Sequence, residues 1–480
     1  MKIKMVDNKL SVLFAAAEIA PIAKVGGLAD VVGALPIALN EGGVDVTVAL
    51  PYYSFLRGHK DVINLKKLKV FPITYAGQRE VVEPWSATIK STKVKILLFD
   101  GPQLKSDAVY ASLTMRDGLY INPAADLERF VFFNLAVAGY VLNLKDRPHI
   151  LHCHDWHAGL LPFLMKSMNL PIKTVYTIHN LANQGVIDVL LQKLLTTQLT
   201  DLKIDGKEYN LMATGIRYAD AVTTVSETYA KEILTKEFAC NLQDSLQQRS
   251  KQLSGILNGI DTTVYDPVTN KNIYKKFDVE HLADKLKNKT LLQKELKLPA
   301  DNSLPLVGLV SRFVNQKGFD LISEKLAELP ARFVFLGSGQ KEIEVGLRLL
   351  ESKYKDKFRV ILGFDEVLAQ KIYAGSDFFL MPSKFEPCGL GQMIAMRFGA
   401  VPIVRLTGGL ADTVNEKNGF GFFNYSEDEL LRALNNALTV FYTQPKKYLK
   451  LQRYGFMTDF SWLNSAKKYI NLYIKVANIK

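Results

Sequence analysis

The sequence has little cysteine: Cys153, Cys240 and Cys388 are its three thiols in 480 residues. Three thiols cannot staple a secreted fold, so a reducing cytoplasm is the expected setting. No apolar run reaches the ~20 residues a spanning helix needs, so no membrane partner is expected. The lysine-bearing lead Met1–Leu10 passes through Leu10–Ala17 into Glu18 and a helix start, the pattern of a first core strand and not of a secretory signal. There is no basic tract either. Lysine and arginine (60) exceed Asp and Glu (48) for a net charge of +12, yet they are scattered, with nothing longer than pairs such as Lys275-Lys276 and Lys446-Lys447. Without a basic stripe interleaved with aromatics, nucleic acid is set aside as a partner, while the positive field suits a phosphorylated substrate. Low-complexity segments and solenoid-type repeat periods are also missing.

What is present is an ordinary globular composition, 48% hydrophobic and 22% charged, long enough for two cores. The first half alternates strand-like runs (Ser11–Ala17, Asp45–Leu50, Lys95–Phe99, His149–Cys153, Thr174–Ile178, Ala221–Val225) with helical patterns such as Glu128–Leu142 and Ser226–Leu234. This βα alternation predicts a parallel sheet covered on both faces. The polar stretch Asn258–Ser303, broken by Pro267 and Pro299, marks a domain boundary. A second series follows, with strands at Pro305–Ser311, Arg332–Leu336, Arg359–Leu362, Phe378–Met381 and Val401–Arg405. Helices are predicted at Gly318–Leu329, Lys341–Tyr354, Glu366–Ala374 and Gly391–Phe398. The expectation is an α/β fold of two Rossmann-like, doubly wound parallel-sheet domains, over 1–258 and 259–459. A terminal helix over 460–480 returns to the first. In such sheets ligands sit at the carboxyl ends of the strands.

The pentapeptide Gly-Gly-Leu-Ala-Asp occurs at Gly26–Asp30 and again at Gly408–Asp412, each time where a strand gives way to a helix. Paired glycines let a backbone approach a ligand, and a helix start offers N–H groups to an anion. Lys24, just ahead of the first pair, reads as a phosphate cation or as helix-flanking surface charge. In the loop Pro382–Gln392, Glu386 lies at the ligand end of the sheet, and the Cys388, Gly389 and Leu390 amides are expected to be free at a helix start. In Ser311–Gly318, Arg312 and Lys317 lie five residues apart on a strand-end loop and are candidates to converge on a diphosphate.

Of the seven histidines, five fall between His149 and His179. The run His152-Cys-His-Asp-Trp-His157 invites a metal-site reading, but Asp155 is one place early for the metallo-hydrolase pattern and the other ligands lack spacing. Hydrogen-bonded core imidazoles are the commoner fate, and no metal is expected. His179 and Asn180 end another strand, where they would meet hydroxyls. Asn258-Gly-Ile-Asp261 reads as a turn between the domains.

Together these residues resemble the bacterial glycogen synthases and plant starch synthases, glycosyltransferase family five, over essentially the whole chain. The carrying motifs are Lys24–Leu28, His152–His157, Thr177–Asn180, Thr224–Ser226, Asn258–Asp261, Ser311-Arg312 with Gln316–Gly318, Glu386–Leu390 and Thr407–Asp412. The resemblance implies a GT-B fold, two domains around a cleft. It also implies transfer of glucose from ADP-glucose to the non-reducing end of an α-1,4-glucan, with retention and release of ADP and without a cofactor. It assigns the diphosphate to Lys24, Arg312 and Lys317, helped by the amides of Cys388–Leu390 and of Gly408 and Gly409, with Gly26, Gly27 and Thr407 alongside. His179, Asn180, Asn258 and Glu386 would hold the glucosyl hydroxyls, Asp155 would sit near the reacting carbon, Tyr110 would be the cleft tyrosine and Phe364 the ring stacked on adenine. Departures from the pattern are Gly391, Leu406 and Ala125-Asp126-Leu127. Other GT-B transferases that use UDP-sugars often carry a second glutamate eight residues after the first, where this chain has Ile394. A non-catalytic glucan-binding relative and a metal-dependent hydrolase are the readings from other classes. Oligomeric state is left open.

Overall fold

The computed structural model describes residues 9–111, 114–116, 119–121, 124–187 and 209–479; of the lead Met1–Leu10, residues 1–8 lie outside the described residues. The chain divides into two units, Met1–Ile256 with Trp462–Lys480, and Leu257–Ser461. The first unit begins with β1 (Ser11–Ala15), β2 (Asp45–Pro51), β3 (Val62–Lys67), β4 (Phe71–Tyr75), β5 (Gln78–Ile89) and β6 (Lys95–Asp100). A short antiparallel pair follows, β7 (Thr114–Arg116) with β8 (Leu119–Ile121). Then come β9 (Ile150–His154), β10 (Lys173–Ile178), a second short pair β11 (Val186–Ile187) and β12 (Tyr209–Asn210), and finally β13 (Ala221–Thr224) and β14 (Leu253–Gly255). Apart from the two pairs these form one ten-stranded sheet in the order β14-β13-β10-β9-β1-β2-β6-β5-β3, with β4 beside β5.

From β14 to β6 the sheet is parallel, as the alternation of strand and helix patterns predicts. β5 then runs antiparallel to β6, β3 and β4, an extension the pattern did not predict. The reason is burial. β1 and β9 are buried almost throughout, and β1 reads as a near-continuous apolar run, whereas β3 is largely exposed and carries Lys66 and Lys67.

In the second unit β15 (Leu306–Val310), β16 (Arg332–Gly337), β17 (Phe358–Leu362), β18 (Phe378–Met381), β19 (Val401–Arg405) and β20 (Phe420–Phe422) form an all-parallel sheet, order β17-β16-β15-β18-β19-β20. Each unit therefore has a point where strand order reverses, between β1 and β9 in the first and between β15 and β18 in the second. Loops leaving such neighbours diverge to opposite faces and open a crevice, which is where doubly wound sheets bind ligands.

One predicted helix is absent. Gly318–Leu329 is replaced by three short 3₁₀ turns, Asn315–Lys317, Phe319–Leu321 and Glu324–Glu328. Gly318 has φ +76°, and a Cβ placed there would lie 2.0 Å from the Pro382 carbonyl oxygen. A left-handed residue at that position interrupts a right-handed helix, and only glycine fits the contact. The first core gathers Phe14, Val48, Phe99, Ile150 and Tyr176; the second gathers Leu309, Phe333, Phe335, Phe378 and Ile403. The C-terminal helix Trp462–Ala477 belongs to the first unit and buries Trp462, Tyr469 and Tyr473 there. Among the described residues no helix is long and apolar enough to cross a membrane.

Candidate active site

In the first unit the chain leaves β1 through Ala16 and Ala17 into Glu18, which is buried. Glu18 Oε2 accepts the amides of Val25 and Gly26 at 2.9 and 2.8 Å, and Oε1 accepts the Tyr110 hydroxyl at 2.6 Å. Burial raises the Glu18 carboxyl above its ordinary range, and these three donors pull it back. Gly26 is the N-cap of the helix Gly27–Glu41. Its amide is therefore already taken, and the first-turn amides of Gly27 and Leu28 are the ones without an acceptor outside the helix among the described residues. A Cβ at Gly26 or Gly27 would meet nothing within 4 Å among the described residues. Lys24 Nζ pairs with Asp30 at 2.7 Å, both about one-third exposed.

Tyr110 is held from behind. Asp126 accepts the Ala111 amide at 3.1 Å, and Arg129 pairs with Asp126 at 2.7 Å and donates to the Val109 carbonyl at 2.9 Å. Asp126, one of the departures from the family pattern, thus has a structural partner set of its own.

Past β9, Asp155 adopts φ +55°, a left-handed conformation that a non-glycine residue takes only under constraint. The His179 amide donates to its Oδ1 at 2.8 Å, and the Asn180 amide also bonds to it. Burial pushes the Asp155 carboxyl up to about 7 while those amides pull it down. Its carboxyl thus clamps the turn that carries His179 and Asn180. Asn180 Oδ1 in turn accepts the Ala182 amide at 3.0 Å.

Burial disfavours the charged form of His152, His154, His157 and His179. Burial brings His157 and His179 down to about 3 and His154 well below its ordinary value. His152 has both ring nitrogens engaged, Nδ1 with the Tyr473 hydroxyl at 2.7 Å and Nε2 with Thr177 Oγ1 at 2.6 Å. It is a satisfied core imidazole. Among the described residues no three His, Cys, Asp or Glu side chains are grouped to hold a metal. His154 Nδ1 meets His179 Nε2 at 3.0 Å, while His154 Nε2 and both nitrogens of His157 are buried without a partner. Asn134 fixes the His157 turn by donating to its carbonyl at 2.7 Å and accepting the Leu161 amide at 3.0 Å.

In the second unit the loops after β15 and β18 are laced together. The Lys384 amide donates to the Gln316 carbonyl at 2.8 Å, and Gln316 Nε2 donates to the Phe385 carbonyl at 3.2 Å. This lacing brings Lys317 Nζ to 2.5 Å from Glu386 Oε2, which also accepts Ser383 Oγ at 3.1 Å. Lys317 is thus paired with a carboxylate, whereas Arg312 is exposed and its guanidinium has no partner among the described residues. The amides of Cys388, Gly389 and Leu390 find no acceptor among the described residues ahead of the helix Gly391–Arg397. Gln392 Nε2 donates to the Gly389 carbonyl at 2.9 Å and to Thr413 Oγ1 at 3.1 Å, which holds that loop to the next helix.

Gly408 and Gly409 differ from the expectation. The Gly409 amide donates to the Glu386 carbonyl at 3.1 Å and is not available to an anion. A Cβ at Gly408 would lie 2.0 Å from the Glu386 oxygen, and one at Gly409 would lie 2.1 Å from the Cys388 oxygen. This glycine pair serves backbone contact. Thr407, buried, is the N-cap of the helix Gly408–Thr413. Asn258 lies in an irregular stretch and not in a turn. Its Oδ1 is buried without a partner, and its N–H groups meet the Cys388 thiol, which burial pushes up to about 12. Phe364, following Gly363 beyond β17, is 85% exposed, which is unusual for a phenylalanine beside a ligand-end loop.

Within the first unit, then, Lys24, Gly26, Gly27, Tyr110, Asp155, His179 and Asn180 border one switch point. Within the second, Arg312, Lys317, Glu386 and Cys388–Leu390 border the other, with Thr407–Gly409 packed behind. Glu18, Ser383, Asn134 and Gln392 were not foreseen. Glu18 and Asn134 act through groups distant in sequence, while Ser383 and Gln392 reach loop groups three residues away, in bonds that a one-dimensional pattern does not signal.

Residues 11–248 match the family described as starch synthase catalytic domain, and residues 292–455 match glycosyl transferases group 1. The glycogen synthase of Gloeobacter violaceus is 42% identical over 476 residues, covering 97% of this chain and 98% of that protein. The glycogen synthase of Moorella thermoacetica is 39% identical over 493 residues, with 97% of each covered. Among solved structures, the catalytic domain of starch synthase IV from Arabidopsis thaliana, bound to ADP and acarbose, superposes with a TM-score of 0.87 at 33% identity, covering 98% of this chain and 99% of that one. A sucrose-phosphate synthase from Thermosynechococcus elongatus, at 18% identity and a TM-score of 0.62, shares the fold. With both sheets, both switch-point loops and nearly the full length accounted for, the chain belongs to the glycogen synthase and starch synthase family and is a glycosyltransferase of the GT-B fold.

Proposed function

We infer that this enzyme transfers glucose from ADP-glucose to the non-reducing end of an α-1,4-glucan, with retention of configuration and release of ADP. The observation that carries the reading is the second unit's switch point: Lys317 seated on Glu386, with the Arg312 guanidinium and three consecutive amides at Cys388–Leu390 without partners among the described residues. That set suits a diphosphate. Breaking the sugar–phosphate bond leaves an oxocarbenium-like carbon and a diphosphate of growing negative charge, which fixed cations and amides stabilise without reorganising. Exposed Phe364 offers a flat face for adenine. Lys24 and the Gly27 amide serve the same phosphates, and His179, Asn180, Asn258 and Glu386 take glucosyl hydroxyls. The neutral state of His179 suits a hydrogen bond to a hydroxyl better than a charge contact.

Retention follows from attack on the face from which the phosphate leaves, with the departing phosphate oxygen taking the acceptor hydroxyl's proton. Glu386, buried against Lys317, steadies the sugar and does not attack it. Asp155 positions the His179–Asn180 turn. The charge a metal would otherwise supply comes from side chains, so the reading calls for no cofactor, and a cytoplasmic setting goes with it. ADP release measured with ADP-glucose and with UDP-glucose, each with and without glycogen, tests the reading. Release that needs glycogen and favours ADP-glucose is expected; equal release without acceptor, or preference for UDP-glucose, would overturn it.

A further inference from the structure

Glu18 plays no part in the reaction as described, yet it is the most heavily engaged carboxylate at the first switch point. One oxygen takes two consecutive backbone amides, Val25 and Gly26, and the other takes the Tyr110 hydroxyl. Successive N–H groups converging on an anion form a nest of the kind that binds phosphate. Here the anion is the chain's own. The side chain is 4% exposed and both oxygens are occupied, so it is a fixed strut and not a stand-in that an incoming phosphate displaces. Hydrogen bonds to an ionised acceptor are roughly twice as strong as neutral ones, and three of them bind segments far apart in sequence.

We propose that Glu18 is the positioning residue of the phosphate-facing loop: it locks the Val25-Gly26 backbone to the Tyr110 hydroxyl, so that Lys24 and the Gly27 amide are presented in one fixed shape before the donor arrives. The proposal rests on the reading of Lys24 as a donor-phosphate contact. Tyr110 then acts through Glu18, and Asp126 with Arg129 supports it by anchoring Ala111 and Val109. Among the described residues nothing lies within 4 Å of a Cβ built at Gly26 or Gly27, which agrees with a loop whose shape is set from within.

The test compares Glu18→Ala, which removes all three bonds, with Glu18→Gln, which keeps an amide oxygen for the two N–H groups and an NH₂ for the tyrosine oxygen. Donor kcat/KM is expected to fall about 30-fold or more in Glu18→Ala, chiefly through the ADP-glucose KM with the glycogen KM unchanged, and to recover to within about 5-fold in Glu18→Gln. Tyr110→Phe should cost nothing further when added to Glu18→Ala. Amide hydrogen exchange over Ile22–Leu28 should quicken in Glu18→Ala and not in Glu18→Gln. Equal kinetic losses in both variants, additive effects with Tyr110→Phe, or unchanged exchange would overturn the proposal while leaving the donor chemistry standing. A wild-type enzyme inert toward every nucleotide sugar would instead sink the functional reading, and the exchange comparison would still decide whether Glu18 holds the loop.

Discussion

The same five residues, Gly-Gly-Leu-Ala-Asp, begin a helix in each unit, and they do so for different physical reasons. At Gly26-Gly27 a methyl group at either glycine would touch nothing within 4 Å among the described residues. At Gly408-Gly409 they press against carbonyls of the Glu386–Cys388 loop at 2.0 and 2.1 Å from where a Cβ would stand. The first copy leaves room for a ligand. The second builds the wall on which Glu386 is mounted. A repeated motif therefore marks a repeated topology and not a repeated task.

That contrast breaks most sharply under alanine. Gly409→Ala should displace the Glu386–Cys388 backbone, lower the thermal midpoint by several degrees and reduce kcat by about 100-fold or more. Calorimetry and ADP release measure both. The matching change in the first unit, Gly27→Ala, should leave the midpoint within about 1 °C and raise the donor KM by roughly 10-fold if phosphate fills that space. Equal destabilisation by the two substitutions would erase the distinction. Between them falls Lys24→Ala, expected to lower kcat/KM by about 30- to 100-fold with little change in stability, since its Asp30 pair is partly exposed and weak. Phe364→Ala should raise the ADP-glucose KM about 5- to 10-fold and leave kcat alone, stacking being worth on the order of 1 kcal/mol.

The smallest effect concerns pH. Asp155 is raised from 3.8 to about 7 in the folded state, so between those values the folded protein binds more protons than the unfolded one. Its contribution therefore weakens as pH rises from about 4 to 7, and the wild type should lose a few degrees of midpoint relative to Asp155→Asn over that span. An unchanging difference between the two proteins would show that Asp155 is ionised throughout.

The sequence carried much of this, and its gaps have physical causes. Strands buried on both faces, such as β1 and β18, announce themselves as apolar runs, and the polar residues just beyond them are the loop residues that matter. β3 to β5 stayed hidden because polar residues, Asn64, Lys66 and Lys67 in β3 and Gln78, Arg79 and Glu80 in β5, break up the apolar pattern and resemble loop. The stretch after Arg312 reads as helix by composition. Only the approach of Pro382 to Gly318, a contact between distant segments, reveals why it breaks into turns. The lacing that brings Lys317 onto Glu386 spans 69 residues, and the bond from Tyr110 to Glu18 spans 92. The two ends of such a pair are each visible in sequence, but their meeting is not.

The C-terminal helix has a consequence for biogenesis. His152 lies deep in the first unit, and the hydroxyl that satisfies its Nδ1 belongs to Tyr473, 321 positions later. During translation the ribosome must thread the whole second unit before that partner emerges. The first unit thus waits with an unquenched imidazole and the uncovered berth of Trp462 and Tyr469, a nascent surface suited to chaperone capture until synthesis nears its close.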